Sequence, residues 1–217
     1  MGRGFVVEIH WFDELASTQA YLIEGLKSNT LKSPICIGAS LQGQGRGSRG
    51  NEWIGEKGNL FISVAVNRSQ LPNDLKLESS SIYFAFIMKE LLSSLGSKVW
   101  LKWPNDFYLN QQKMGGVITN LVGDSLVCGI GLNLLNAPLD FSKIDIEITP
   151  LELTNNYAVE LDKFPSWKQI FSKFKLEFVR SKSFVTHMDD MIFRLEDTVL
   201  LEDGSLEYNG QRIFSLR

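Results

Sequence analysis

The feature that most constrains this chain is the crowding of short β-rich runs in its first two thirds. "FVVEIHWF", "ICIGASL", "LFISVAVN", "VWLKW", "FYLN", "KMGGVITNLV" and "SLVCGIGLNLL" follow one another between clusters of Gly, Asn, Pro and Ser. Several of these runs stand too close together to be joined by crossover helices. "FYLN" and "KMGGVITNLV" meet at a turn around Asn110, Gln111 and Gln112, which predicts a hairpin, because parallel neighbours need a much longer connection. The expected fold class is therefore α+β, with a mixed, largely antiparallel sheet and flanking helices.

Three helices are predicted between the strands. The first is N-capped by Ser17 or Thr18 and carries "QAYLIEGLK". The second runs from about Ser79 to Leu95, with Phe84, Ile87, Met88, Leu91 and Leu95 on one apolar stripe that ends at Gly96. The third places Trp167, Ile170, Phe171, Phe174 and Phe178 at the same spacing. Both stripes read as core faces rather than cofactor boxes. The tail "DTVLLEDGSLEYNGQRIFSLR" has strand-like pieces around turn signals at Asp203-Gly204 and Asn209-Gly210, and it is too short for a core of its own. The expected division is a main domain over 1–185 with a small β module over 186–217 leaning on it.

A chain of 217 residues with 44% apolar content can bury a substantial core. Its net charge of −3 gives no overall attraction to nucleic acid or anionic membrane, so any anion-binding role must come from a local patch. No run approaches a membrane span, and the N-terminus lacks the apolar segment of a signal peptide, so a cytoplasmic protein is expected. Cys36 and Cys128 sit singly in strand-like runs and read as buried thiols. His10 and His187 are the only histidines and stand far apart, which argues against a zinc site or a Ser-His-Asp triad.

"GQGRGSRGNEW" spaces Gly45, Gly47 and Gly50 as G-x-G-x-x-G, the pattern of a dinucleotide-binding turn. That turn requires a helix to begin at the loop, and here an aromatic, β-branched strand follows. The kinase elements that accompany a glycine loop between two strands are absent as well. What survives is an anion-binding character. Glycines let amides approach a ligand, and Arg46 and Arg49 supply charge-assisted donors for phosphate or carboxylate. A second segment, "LKWPNDFYLNQQKMGGV", sets Lys102, Asn105, Asp106 and Lys113 within twelve residues, with Gly115-Gly116 on the following strand. Lysine and aspartate inside apolar strands need a partner or a ligand cleft, and paired glycines mark close approach of a backbone or a ligand.

In order and spacing, "STQ" at Ser17, "QGQGRGSRGNEW" at Gln42, "GNLFISV" at Gly58, "KWPNDFYLNQQKMGG" at Lys102 and "GIGLN" at Gly129 resemble the biotin protein ligases. The resemblance runs from about Ile9 to Asn133. It implies a catalytic domain related to class II aminoacyl-tRNA synthetases, followed by an SH3-like module that is short here. It implies ATP-dependent conversion of biotin to biotinyl-5′-AMP, then transfer to a lysine of a biotin carboxyl carrier protein. ATP, Mg²⁺ and biotin are the expected small molecules. Such chemistry stabilises charge on phosphoryl oxygens and needs no catalytic Cys or His.

Carried onto this chain, the resemblance puts Ser17, Thr18, Gln19 and Gln42 against the biotin head. Arg46, Gly47 and Ser48 would close over biotin and the adenylate phosphate, with Gly115 and Gly116 also at the biotin. Lys113 would bridge the biotin carboxylate and the α-phosphate, and Lys102 and Asp106 would serve near the reacting groups. Asn105 would assist with phosphate or magnesium, since no metal site is expected from side chains alone. Arg49 and Asn133 fall at the ATP end, and Trp53 either borders the adenine pocket or is a core tryptophan. Ser48 and Asn51 stand where the family loop commonly has arginine, which predicts looser adenylate retention. The chain begins at the first catalytic strand, so a DNA-binding repressor role is not expected; a homodimer is compatible with the resemblance. The alternatives are a lipoate or other acyl ligase of the same fold, and a non-catalytic small-molecule or nucleic-acid binder using the Gly/Arg loop.

Overall fold

The computed structural model describes residues 7–47, 52–188 and 191–214. In chain order its elements are β1 (Glu8–Phe12), α1 (Thr18–Lys27), β2 (Ile35–Ala39), β3 (Gln42–Arg46), β4 (Glu52–Gly55), β5 (Leu60–Asn67), α2 (Ser80–Ser94), β6 (Trp100–Lys102) and β7 (Asp106–Leu109). There follow β8 (Gln112–Val122), β9 (Ser125–Leu132), α3 (Pro150–Asp162), α4 (Trp167–Glu177), β10 (Val185–Met188), β11 (Met191–Arg194), β12 (Val199–Leu200), β13 (Leu206–Tyr208) and β14 (Gln211–Ile213). Seven strands form one sheet in the order β1-β2-β5-β9-β8-β7-β6. Only the β1/β2 pair is parallel, and it is the pair joined through a helix, α1. The sheet is mixed and largely antiparallel, as the crowded runs require.

Ser17 caps α1, its Oγ accepting from the Ala20 N–H at 3.3 Å. Helix α2 departs from a single stripe. It is buried nearly all round, with Ile82, Tyr83, Phe86 and Leu92 as inaccessible as the predicted positions, because the sheet covers one side and α3 and α4 cover others. Leu95 lies past the last turn and is 41% exposed. Helix α3 is a fourth helix that the periodicity did not reveal. Its start is written in the sequence: Thr149 accepts from the Glu152 N–H at 3.2 Å and Pro150 opens the first turn. Its buried positions, Leu153, Tyr157 and Leu161, stand one to a turn among mostly polar neighbours that include Asn155-Asn156, a sparser stripe than those of α2 and α4.

At the far edge of the sheet, β6 has no strand beyond it among the described residues. The outward N–H of Leu101 donates to Glu177 Oε2 at 3.1 Å, and that of Trp103 donates to Ser181 Oγ at 3.1 Å. The end of α4 and the 3₁₀ turn after it thus satisfy two amides of an edge strand. In the C-terminal sheets, Asn209 (φ 50°) and Gly210 (φ 74°) make the two-residue turn joining β13 to β14. Phe193, Leu195, Leu206 and Ile213 share one apolar cluster with α2 and the main sheet. Cys36 and Cys128 are buried and free, and burial pushes the Cys36 thiol up to about 12. No helix among the described residues is long and apolar enough to cross a membrane.

Candidate active site

A cavity that opens to solvent lies over β5, β8 and β9, bounded by the start of α1, by β3 and β4, and by the turn into β7. One end is neutral and polar. Gln42 Oε1 accepts from the Thr18 N–H at 2.8 Å and from Thr18 Oγ1 at 3.0 Å, and Thr18 Oγ1 lies 3.0 Å from Ser63 Oγ. Gln19 Nε2 donates to Asn120 Oδ1 at 3.0 Å, while its buried Oε1 has no hydrogen-bond partner. These groups hold each other in place and leave unmet hydrogen-bonding capacity in the floor, the kind a ligand with its own donors satisfies.

Glycines on β9 make room above that floor. A Cβ on Gly129 would stand 2.5 Å from Gln19 Oε1, and one on Gly131 would stand 3.0 Å from the Trp53 indole. Trp53 lines the cavity, edge-on to Phe141 at 6.5 Å, and its buried Nε1 has no partner.

The other end carries charge. Lys113 Nζ is 2.6 Å from Asp106 Oδ1, and Lys102 Nζ is 3.9 Å from Asp106 Oδ2. Two ammonium groups sharing one carboxylate leave a net positive charge at this end, where phosphate or carboxylate oxygens would be stabilised. The turn is rigid, since Asn105 Nδ2 donates to the Val117 carbonyl and Val117 N–H donates to Asn105 O at 3.0 Å. Burial, and secondarily the Asp106 carboxylate, push the Tyr108 hydroxyl up to about 12, so that ring stays neutral beside the charges.

Of the residues expected from the sequence, Ser17, Thr18, Gln19, Gln42, Gly47, Trp53, Asn105, Asp106, Lys113 and Gly116 line this one cavity. Three do not. Lys102 stands behind Asp106, with 8% of its surface exposed. Gly115 points at β9, where a Cβ would stand 2.4 Å from the Gly131 carbonyl oxygen, so its close approach is to backbone. Asn133 is buried and donates from Nδ2 to Ser142 O at 3.2 Å, bracing the segment that carries Phe141. Arg46 is placed through its backbone, paired with Glu52 in β3/β4. Ser48, Arg49 and Asn51 lie outside the described residues. Ser63, Ile118, Gly129 and Gly131 also line the cavity and were not singled out. For Ser63, Gly129 and Gly131 the signal was the alternation of "GNLFISV" and the two glycines of "GIGLN", each on one sheet face; Ile118 is one more apolar residue of "KMGGVITNLV" and carries no such mark.

The sequence profile of the biotin/lipoate A/B protein ligase family matches residues 11–134, more than half of the chain and the stretch that builds this cavity. The chain belongs to that family. A crystal structure of biotin acetyl coenzyme A carboxylase synthetase from Helicobacter pylori, with bound biotinylated ATP, is 42% identical. It superposes with a TM-score of 0.91 over 96% of this chain and 99% of that one. Biotin protein ligase from Aquifex aeolicus in complex with biotin and ATP is 22% identical with a TM-score of 0.75, covers 97% of this chain and 98% of its own, and shows the same fold. The bifunctional ligase/repressor BirA of Escherichia coli is 35% identical over 125 residues, 54% of this chain and 38% of its own length. The biotin--[acetyl-CoA-carboxylase] ligase of Paracoccus denitrificans is 30% identical over 165 residues, 69% of this chain and 66% of its own. Against the BirA relatives of Escherichia coli, Salmonella typhimurium and Bacillus subtilis, this ligase-family chain spans about two fifths of their length.

Proposed function

We propose that the chain is an ATP-dependent biotin ligase that forms biotinyl-5′-AMP and passes biotin to a lysine of a biotin carboxyl carrier protein. The observation that carries this reading is the polarity of the cavity. A neutral hydrogen-bonding end at Ser17, Thr18, Gln19, Gln42 and Ser63 is joined to a cationic end at Lys113, Asp106 and Lys102. Biotin has the matching layout, an uncharged ureido head and an anionic carboxylate. A dithiolane head would leave the polar end unsatisfied, which disfavours lipoate.

In the first step a carboxylate oxygen of biotin attacks the α-phosphorus of ATP and pyrophosphate leaves. Lys113 would neutralise both the carboxylate and the phosphoryl oxygens, allowing two anions to approach. Asp106 holds the Lys113 ammonium in place. In the second step the neutral acceptor amine attacks the acyl carbon, AMP leaves with the bonding pair on phosphate oxygens already facing a positive charge, and the nitrogen gives up its extra proton to solvent. Trp53, in the cavity wall, would give the adenine a flat apolar neighbour. Among the described residues no group of three His, Cys, Asp or Glu side chains is placed to hold a metal, so Mg²⁺ would arrive on the ATP phosphates with Asn105 as its near neighbour. There it would offset charge on the leaving pyrophosphate.

Pyrophosphate exchange into ATP, run in parallel with biotin, lipoate and octanoate, tests the reading. Biotin-dependent exchange is expected, with Lys113→Ala lowering it about a hundredfold or more. Absence of biotin-dependent exchange in well-folded protein would refute the activity. A Lys113→Ala variant that binds biotin but does not exchange separates a ligase from a simple binder.

A further inference from the structure

Lys102 does not touch the cavity, yet its surroundings are specialised. Trp100, Tyr108 and Phe184 form a closed triangle of rings, with centroids 5.3 Å apart for Trp100 and Tyr108, 5.5 Å for Trp100 and Phe184, and 5.1 Å for Tyr108 and Phe184. Lys102 Nζ lies 5.6 Å from the Tyr108 centroid and 5.8 Å from that of Phe184. At 3.9 Å from Asp106 Oδ2, the ammonium is beyond hydrogen-bond distance of the carboxylate it faces. Two ring faces, each with its negative quadrupole toward the cation, are among the contacts that fix where this buried charge sits.

Tyr108 belongs to β7, inside the segment that carries the charged triad, whereas Phe184 comes from a different part of the chain. Its backbone is anchored at both groups: the Phe184 N–H donates to Ser181 O at 2.9 Å, and its carbonyl accepts from Leu195 N–H at 2.9 Å. Ser181 is the residue that also accepts from the edge amide of Trp103. The ring is thus delivered to Lys102 by the same segment that seals β6: the backbone bonds fix where Phe184 leaves the main chain, and packing on Trp100 and Tyr108 orients its ring.

We propose that Phe184 is a positioning residue for adenylate formation: its ring fixes Lys102 behind Asp106, and Asp106 in turn holds Lys113 at the reacting oxygens. The proposal rests on the ligase reading for its kinetic consequence and on geometry alone for its structural one. Lys113 Nζ and Asp106 Oδ1 are in contact at 2.6 Å, so a change in where Lys102 pulls on the other carboxylate oxygen reorients that carboxylate and the lysine bound to it.

The test uses Phe184→Leu, which keeps apolar bulk without the ring face, and Phe184→Trp, which keeps the ring face. In the full chain with isotope-labelled lysine, the Lys102 ε-methylene protons, assigned with Lys102→Arg, are expected upfield in the wild type from ring currents. They should move toward ordinary lysine values in Phe184→Leu, with the Lys113 ε signals shifting too, and stay upfield in Phe184→Trp. In biotin-dependent pyrophosphate exchange, Phe184→Leu should lower kcat about three- to tenfold with KM for biotin within twofold, and Phe184→Trp should stay within twofold on both. Lys102 signals unchanged in Phe184→Leu overturn the proposal whether or not the protein activates biotin. So does an active wild type matched by Phe184→Leu in kcat, or two variants that lose activity equally. A wild type without exchange but with the expected lysine shifts overturns the ligase reading and leaves the positioning of Lys102 supported.

Discussion

Gly115 and Gly116 are adjacent on β8, and alanine at the two positions should have opposite consequences. Neither has a positive φ, so backbone conformation does not separate them. At Gly115 the new methyl would stand 2.4 Å from the Gly131 carbonyl oxygen and 3.2 Å from Leu132 Cα, both backbone atoms of β9, where ordinary contact begins at 3.4 Å. Strand β9 is paired on both sides, to β5 and β8, so a displacement of roughly 1 Å must be shared by three strands. Overpacking of that kind costs about 2–3 kcal/mol, which in a domain of this size lowers Tm by about 5–10 °C. At Gly116 the nearest atoms would be Asp106 Oδ1 at 3.3 Å, Asn105 O at 3.6 Å and Lys113 Cε at 3.8 Å. A few tenths of an ångström of side-chain movement accommodate the methyl, and the lost backbone entropy of glycine offsets part of the cost, so stability should change by less than about 1 kcal/mol. The atoms that move are those of the Asp106–Lys113 pair, so biotin-dependent exchange should fall about tenfold. Urea unfolding measures the first effect and pyrophosphate exchange the second. A Gly115→Ala protein as stable as wild type, or a Gly116→Ala protein that unfolds early, would refute this reading of the two faces of β8.

Further predictions concern other parts of the chain. Asn59 is buried, and its Oδ1 accepts from the N–H groups of Leu134, Leu135 and Asn136 at 3.0 Å each, so Asn59→Ala should cost about 2–4 kcal/mol in urea unfolding. Burial pushes the Asp203 carboxyl up, but hydrogen bonds from the Ser205 hydroxyl and amide and from Lys76, with the Arg212 charge, hold it below its ordinary value. A carboxyl depressed on folding contributes stability that is present above the unfolded value of about 3.9 and lost as pH falls through the folded one. Asp203→Asn should therefore flatten the loss of stability in acid, and equal acid slopes for the two proteins would count against the linkage. Ser48→Arg should slow release of biotinyl-5′-AMP in a rapid-dilution assay, as expected if the loop lacks a charge-assisted contact; equal release rates would dismiss the idea.

Much of the fold was legible in the sequence because its signals were local. The hairpin at Asn110, the cap at Ser17 and the turn at Asn209-Gly210 each depend on a few adjacent residues, and each stands where it was expected. What escaped was decided by packing. Helix α3 hides behind Asn155-Asn156, and α2 is enclosed on faces that no single stripe describes. The site divides the same way. Lys113 and Asp106 announce themselves as charged groups in apolar strands, but Gly115 and Gly116 look alike until the pleat assigns one to a neighbouring backbone and the other to the cavity. Asn133, expected at the nucleotide end, spends its amide on Ser142, a contact that spacing does not reveal.

The seal on β6 has a consequence in time. Leu101 and Trp103 bond to partners 76 and 78 residues further along the chain, and the Trp103 indole donates to Gly204 O, 101 residues on. During synthesis the charged turn that follows β6 can therefore be braced early by its own Asn105–Val117 bonds, while the outer side of β6 stays uncovered. Covering that side waits on closure of a long loop, one of the slower classes of contact to form. A growing chain carries β6, with Lys102 at its end, as an open edge until the residues around Ser181 emerge, so the support behind the site arrives well after the site's own strands.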